Sequence, residues 1–209
     1  MQNTPSIPFN RASISALEIE YVKQCLESRS VCGDGAFTHW CEQWLENQLQ
    51  AEKVLLTPSC TAALEMSALL LNLKPGDEVI MPSFTFVSTA NAFLLRGATP
   101  VFVDIRPDTL NLDEDAVEAA ITSRTKAIVP VFYAGVPSDM TRLRELADHK
   151  KIPLVVDAAQ SLGSLYKGRP ATELADLSCF SFHETKNVTG GEAGALAISS
   201  GSTHFTERA

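Results

Sequence analysis

The sequence predicts an α/β protein with a mostly parallel sheet sandwiched by helices. From residue 53 onward, short apolar runs alternate with helical segments, as in a chain that winds strand, helix, strand. Those runs are apolar at nearly every position, which fits strands covered on both faces. Pro75-Gly76-Asp77 and Gly97 punctuate the alternation where a turn and a helix stop are needed.

Taken in order, residues 11–30 predict an amphipathic helix, with Leu17, Tyr21, Val22 and Leu26 near helical spacing. Gly33-Asp34-Gly35 breaks it. A second helix is expected over 37–49, with Phe37, Trp40, Cys41, Trp44 and Leu45 on one face. A strand at 54–56 leads through Thr57-Pro58-Ser59 into a helix reaching Leu71. Further strands are expected at 78–81, 100–105, 127–132 and 152–156. Helices are expected at 87–96, 113–121 and 138–149. The runs 177–182 and 195–199 sit close together around a glycine-rich turn, which predicts antiparallel or irregular pairing there. Residues 204–209 read as the start of another helix, so the chain is expected to be cut short of a natural domain end.

Bulk properties narrow the function. A chain of 209 residues can bury a core without covalent staples. Its 45% hydrophobic and 20% charged residues are ordinary globular composition. A net charge of −8 argues against a nucleic-acid partner, although a local pocket can still hold an anion. Five cysteines (Cys25, Cys32, Cys41, Cys60, Cys179) show no metal-type spacing and read as reduced thiols. The start, Met-Gln-Asn-Thr-Pro, lacks the pattern of a secretory leader, and no apolar run approaches the roughly 20 residues of a membrane helix. A soluble, cytoplasmic protein with no membrane partner is expected.

In an open parallel sheet, ligands gather beyond the carboxyl ends of the strands. That rule selects four places. Ser59-Cys60-Thr61-Ala62 opens a helix after a strand, so its N–H groups suit a phosphate, or serve as an ordinary cap. Asp157 ends an apolar strand, where a carboxylate needs a cation or several donors; a protonated ring nitrogen and a helix cap fit equally well. Lys186 stands between a strand and the turn Gly190-Gly191-Glu192-Ala193-Gly194. A lysine held partly out of water there is a nucleophile for a carbonyl, though most lysines are solvated. His183 has no partner at metal spacing, so no metal is expected. The aromatics of Pro82-Ser83-Phe84-Thr85-Phe86 suit either a flat ligand ring or the core. The chain has no glycine-rich dinucleotide fingerprint, no P-loop and no G-x-S-x-G.

The ordered set Pro-Ser-Cys-Thr-Ala-Ala-Leu (58–64), Met-Pro-Ser-Phe-Thr-Phe-Val-Ser-Thr (81–89), Val-Val-Asp-Ala-Ala-Gln (155–160) and Ser-Phe-His-Glu-Thr-Lys-Asn (181–187) resembles the DegT/DnrJ/EryC1/StrS aminotransferases. The resemblance covers nearly the whole chain from about Ile7. It implies the large domain of the type I, or aspartate aminotransferase, fold. Residues 1–209 would be an N-terminal segment plus that domain, with the family's smaller C-terminal domain absent. It implies pyridoxal 5′-phosphate as cofactor. Lys186 would carry it; Asp157 would hold its ring nitrogen protonated and Gln160 would bond its phenolic oxygen. Thr61, Ala62 and Ser181 would hold the phosphate and Phe86 would stack on the ring. It also implies transfer of an amino group from glutamate to a dTDP-keto-sugar, in a homodimer. Relatives that dehydrate their substrate carry histidine where Lys186 stands, so transamination is expected here. The abrupt end leaves a non-catalytic remnant as the alternative.

Overall fold

The computed structural model describes residues 6–209; the leader-free start read at 1–5 lies outside the described residues. Two helices come first, α1 (Ala16–Glu27) and α2 (Ala36–Leu49). Ser15 caps α1 in a capping box with Glu18, which explains why the helix starts there and not at residue 11. Its apolar stripe meets no core: Leu17, Tyr21, Val22 and Leu26 are all exposed, and α1 buries none of its residues. Tyr21 reaches only as far as the edge of Phe37 on α2.

The face expected of α2 is also corrected. Glu42, Leu45 and Leu49 turn inward, whereas Trp40 and Trp44 are 58% and 53% exposed. The cause lies in strand β1 (Ala51–Thr57), which has a neighbour on one side only. Its outward N–H groups at Val54 and Leu56 donate to Glu46 Oε1 at 3.1 Å and Glu42 Oε1 at 3.0 Å. Covering that sheet edge with two carboxylates fixes the rotation of the helix.

From β1 the alternation runs as expected: α3 (Cys60–Leu70), β2 (Glu78–Pro82), α4 (Val87–Leu94), β3 (Thr99–Val103), α5 (Glu114–Ala120) and β4 (Thr125–Ile128). After a tight turn at Tyr133–Gly135 come α6 (Met140–Lys150) and β5 (Val155–Asp157). A small hairpin follows, β6 (Leu165–Tyr166) with β7 (Arg169–Pro170), which the sequence reading missed. The chain then forms β8 (Leu177–Ser181), β9 (Gly194–Ser199) and the short α7 (Thr203–Thr206).

The strands β3-β2-β4 pair in parallel, as do β5 and β8. Parallel bridges Ile128–Leu154 and Val131–Asp157 join the two groups. Strand β9 runs antiparallel between β8 and β1, as the short connection from β8 requires. The sheet is thus parallel except for β9, in the order β3-β2-β4-β5-β8-β9-β1. Neighbouring residues on one strand feed opposite cores. Ile80 and Val156 join Phe132, Met140 and Phe180 on one face; Val79 and Val155 join Leu64, Phe93 and Leu196 on the other. Every residue of β2 is buried, which accounts for the apolar run Val79-Ile80-Met81 after its opening glutamate. The carboxyl ends of the parallel strands and the start of β9 meet along one edge, and the candidate site forms there.

Candidate active site

A cavity of about 550 Å³ opens at that edge. Thr61, Phe86, Asp157, Gln160, Ser181 and Lys186 all lie on its wall, although they come from four separate parts of the chain. Ala62 does not: its N–H donates to Ser59 Oγ at 3.1 Å, so that donor serves as a helix cap. The N–H of Thr61 makes no hydrogen bond among the described residues and stays available at the start of α3. Thr61 Oγ1 donates to Ser88 Oγ at 2.9 Å, which leaves the Ser88 proton free for another acceptor. Ser88 was not singled out for this wall; its hydroxyl gives little signal in a sequence rich in serine.

Asp157 is 4% exposed at the end of β5. Its Oδ2 accepts from the Thr89 hydroxyl at 2.6 Å and its Oδ1 from the Ala159 N–H at 3.1 Å. The second bond closes a local turn, so the helix-cap alternative does not hold: no helix follows Asp157. Burial pushes this carboxyl above its usual range, against the pull of the Thr89 and Ala159 bonds and of the Lys186 charge. Asp157 has no ion-pair partner among the described residues.

The lysine loop is tied at several points. Lys186 N–H donates to His183 O at 2.9 Å. Thr185 N–H donates to His183 Nδ1 at 3.2 Å, and His183 Nε2 lies 3.4 Å from Glu192 Oε1. Those partners place the ring proton on Nε2. Asn187 Nδ2 donates to Leu162 O at 2.8 Å and Asn10 Nδ2 to Glu184 O at 2.6 Å. The Lys186 ammonium itself has no hydrogen-bond or ion-pair partner among the described residues and lines the cavity.

Gln160 is held at one end only. Its Oε1 accepts from the Ala134 N–H at 2.7 Å, which leaves both amide protons free to donate. Ala134 sits at φ 53°, a left-handed conformation that aims its N–H at Gln160. Phe86 is 72% exposed, so the core reading of this ring is overturned. Phe84 instead packs on Tyr133, with ring centroids 4.4 Å apart.

Gly194 explains how the site edge closes so tightly. A Cβ built there would lie 2.4 Å from Ser59 C and 2.5 Å from Cys60 N. The start of β9 therefore passes directly beneath the opening of α3, and only glycine permits it. Cys60 Sγ donates to Cys179 O at 3.4 Å; burial pushes both thiols well up, so they stay neutral.

This fold is shared with solved aminotransferases. 3-Amino-5-hydroxybenzoic acid synthase is 34% identical, with a TM-score of 0.91 over 99% of this chain and 54% of its own. DesI, solved in the presence of its TDP-sugar product, is 36% identical with a TM-score of 0.88, over 97% of this chain and 52% of its own. Spr1654 from Streptococcus pneumoniae, in its PLP-form, is 35% identical with a TM-score of 0.87, over 96% of this chain and 57% of its own. The chain thus spans little more than half the length of the solved chains it matches. The family model of the DegT/DnrJ/EryC1/StrS aminotransferases matches residues 12–208, and the chain belongs to that family.

Proposed function

We propose that residues 1–209 are the N-terminal segment and cofactor-binding large domain of a pyridoxal-phosphate-dependent nucleotide-sugar aminotransferase. The observation that carries this reading is the placement of the Lys186 amine and the buried Asp157 carboxylate on one cavity. The residues present fit the cofactor. Asp157 is a buried carboxylate lacking a cation, which suits a protonated ring nitrogen. The unpaired Thr61 N–H, with the Ser88 and Ser181 hydroxyls, suits a phosphate, on the helix turn that Ala62 completes. The free amide protons of Gln160 suit a phenolic oxygen, and the exposed Phe86 ring suits a flat partner. When bound, the cofactor supplies an aldehyde that joins amines and a ring that withdraws electrons. Lys186 would hold the cofactor through its amine, and its nitrogen would be placed to move a proton at the substrate carbon. Asp157 would keep the ring nitrogen protonated, and Gln160 would donate to the phenolic oxygen. The His183–Glu192 contact and the Thr185 bonds keep the lysine loop over the cavity.

The donor in this reading is glutamate and the acceptor a dTDP-4-keto-6-deoxy sugar, handled by a homodimer. The TDP-sugar of DesI supports the nucleotide class. The strings Cys32-Gly33-Asp34-Gly35, 54–64 and 181–187 resemble dTDP-4-amino-4,6-dideoxygalactose transaminase of enterobacterial common antigen synthesis, which makes that sugar the first to assay. The purified chain is supplied with pyridoxal phosphate, glutamate and the keto-sugar nucleotide, and 2-oxoglutarate is followed. Lys186-dependent release supports the proposal; a chain that ignores the cofactor removes it. The short span relative to solved relatives supports a second reading, a cofactor-binding remnant. Cofactor binding without amino transfer is its signature, and turnover by residues 1–209 rules it out.

A further inference from the structure

Threonine 89 lies on the first turn of α4, three residues past Phe86, and is fully buried. A hydroxyl in such a place costs stability unless it is bonded. Here its single proton goes to Asp157 Oδ2 at 2.6 Å. Thr85 Oγ1 lies 2.7 Å from Thr89 Oγ1, and with the Thr89 proton already used, Thr85 must be the donor. The direction of the chain is therefore set: Thr85 donates to Thr89, and Thr89 donates to Asp157. Donation into a hydroxyl strengthens the bond that hydroxyl makes onward. Cys60 Sγ lies 4.0 Å from Asp157 Oδ1 and is already engaged with Cys179 O, so Thr89 is the one strong side-chain donor to this carboxylate among the described residues.

We propose that Thr89, backed by Thr85, is the positioning residue that holds the Asp157 carboxylate charged and oriented toward the cavity, and so sets the affinity for pyridoxal phosphate. This rests on the cofactor reading above. Burial alone drives Asp157 toward its neutral form, which offers a protonated ring nitrogen no countercharge. The Thr89 bond opposes that drift and fixes one oxygen while Ala159 N–H fixes the other. The same helix turn carries Phe86, so the exposed ring and the donor to Asp157 sit on one element.

Pyridoxal phosphate is titrated into the apo chain and its dissociation constant measured by absorbance for wild type, Thr89→Val, Thr89→Ser and Thr85→Val. The expected result is a loss of about tenfold for Thr89→Val, about threefold for Thr85→Val, and under about twofold for Thr89→Ser. Equal losses in the Val and Ser variants would mean a packing role and overturn the proposal, as would wild-type affinity in Thr89→Val. If Thr89→Val does not fold, Thr85→Val decides, and unchanged affinity there overturns the relay. A wild-type chain that binds no cofactor fails at the earlier reading and takes the relay with it, an outcome distinct from the others.

Discussion

Replacing Gly194 by alanine should damage fold and site together. The new methyl would stand 2.4 Å from Ser59 C, 2.5 Å from Cys60 N and 2.7 Å from Ser59 O, all main-chain atoms that cannot swing aside. Ordinary contact begins at 3.4 Å, so the two segments must separate by about 1 Å. Gly194 is paired with Thr57 on one side and Ser181 on the other, so β9 cannot yield without breaking sheet bonds. The start of α3 must yield instead, carrying Thr61 with it. Overpacking of this kind costs about 3 kcal/mol when backbone has to shift. A urea melt of Gly194→Ala should show that loss, and cofactor affinity should fall at denaturant-free conditions as well. Gly201→Ala, where a Cβ meets nothing within 4 Å, is the control and should stay within about 0.5 kcal/mol. Gly194→Ala with wild-type stability and affinity would refute the close approach.

Phe86→Ala should leave stability within about 0.5 kcal/mol, because the ring is already exposed, yet weaken cofactor binding several-fold; equilibrium melts and titrations separate the two effects. Asp157 gives a pH signature in the apo chain. Its folded-state carboxyl is raised by burial, so between the ordinary aspartate value of about 3.9 and that raised value the folded state binds more protons. Stability contributed by this group is therefore full at low pH and lost as pH rises through the window. Asp157→Asn should remove that decline and be the more stable apo protein at neutral pH, while binding cofactor more weakly; pH-dependent urea melts check it. Gln160→Leu should leave the Ala134 N–H unpaired, lowering stability by about 1 kcal/mol along with affinity.

Much of this was legible in the sequence, because burial on both faces writes itself as unbroken apolar runs. Residues 79–81 and 155–156 show it, and the strand-end rule then located Asp157 and Lys186. The helix faces were less legible. Periodicity placed Trp40 and Trp44 inward, but the free edge of β1 needed acceptors, and Glu42 and Glu46 took those positions. No hydrophobic pattern announces such a demand. Strand β4 came out shorter than expected, at Thr125–Ile128, because the chain beyond it bridges Asp157 only at Val131 before turning at Tyr133. Thr89 and Thr85 were hidden for a related reason: their value lies in the direction of a proton, which only a distance between oxygens reveals. Gly194 read as one glycine in a turn rich in them, and only the passage of α3 above it sets it apart.

The central claim is that one amine, on Lys186, carries the cofactor. Borohydride reduction of the chain incubated with pyridoxal phosphate, followed by peptide mass mapping, tests it directly. The account predicts the pyridoxyl mass on the peptide containing Lys186 and nowhere else, and no label after Lys186→Ala. A stable adduct on a different lysine, with Lys186 unmodified, would contradict it.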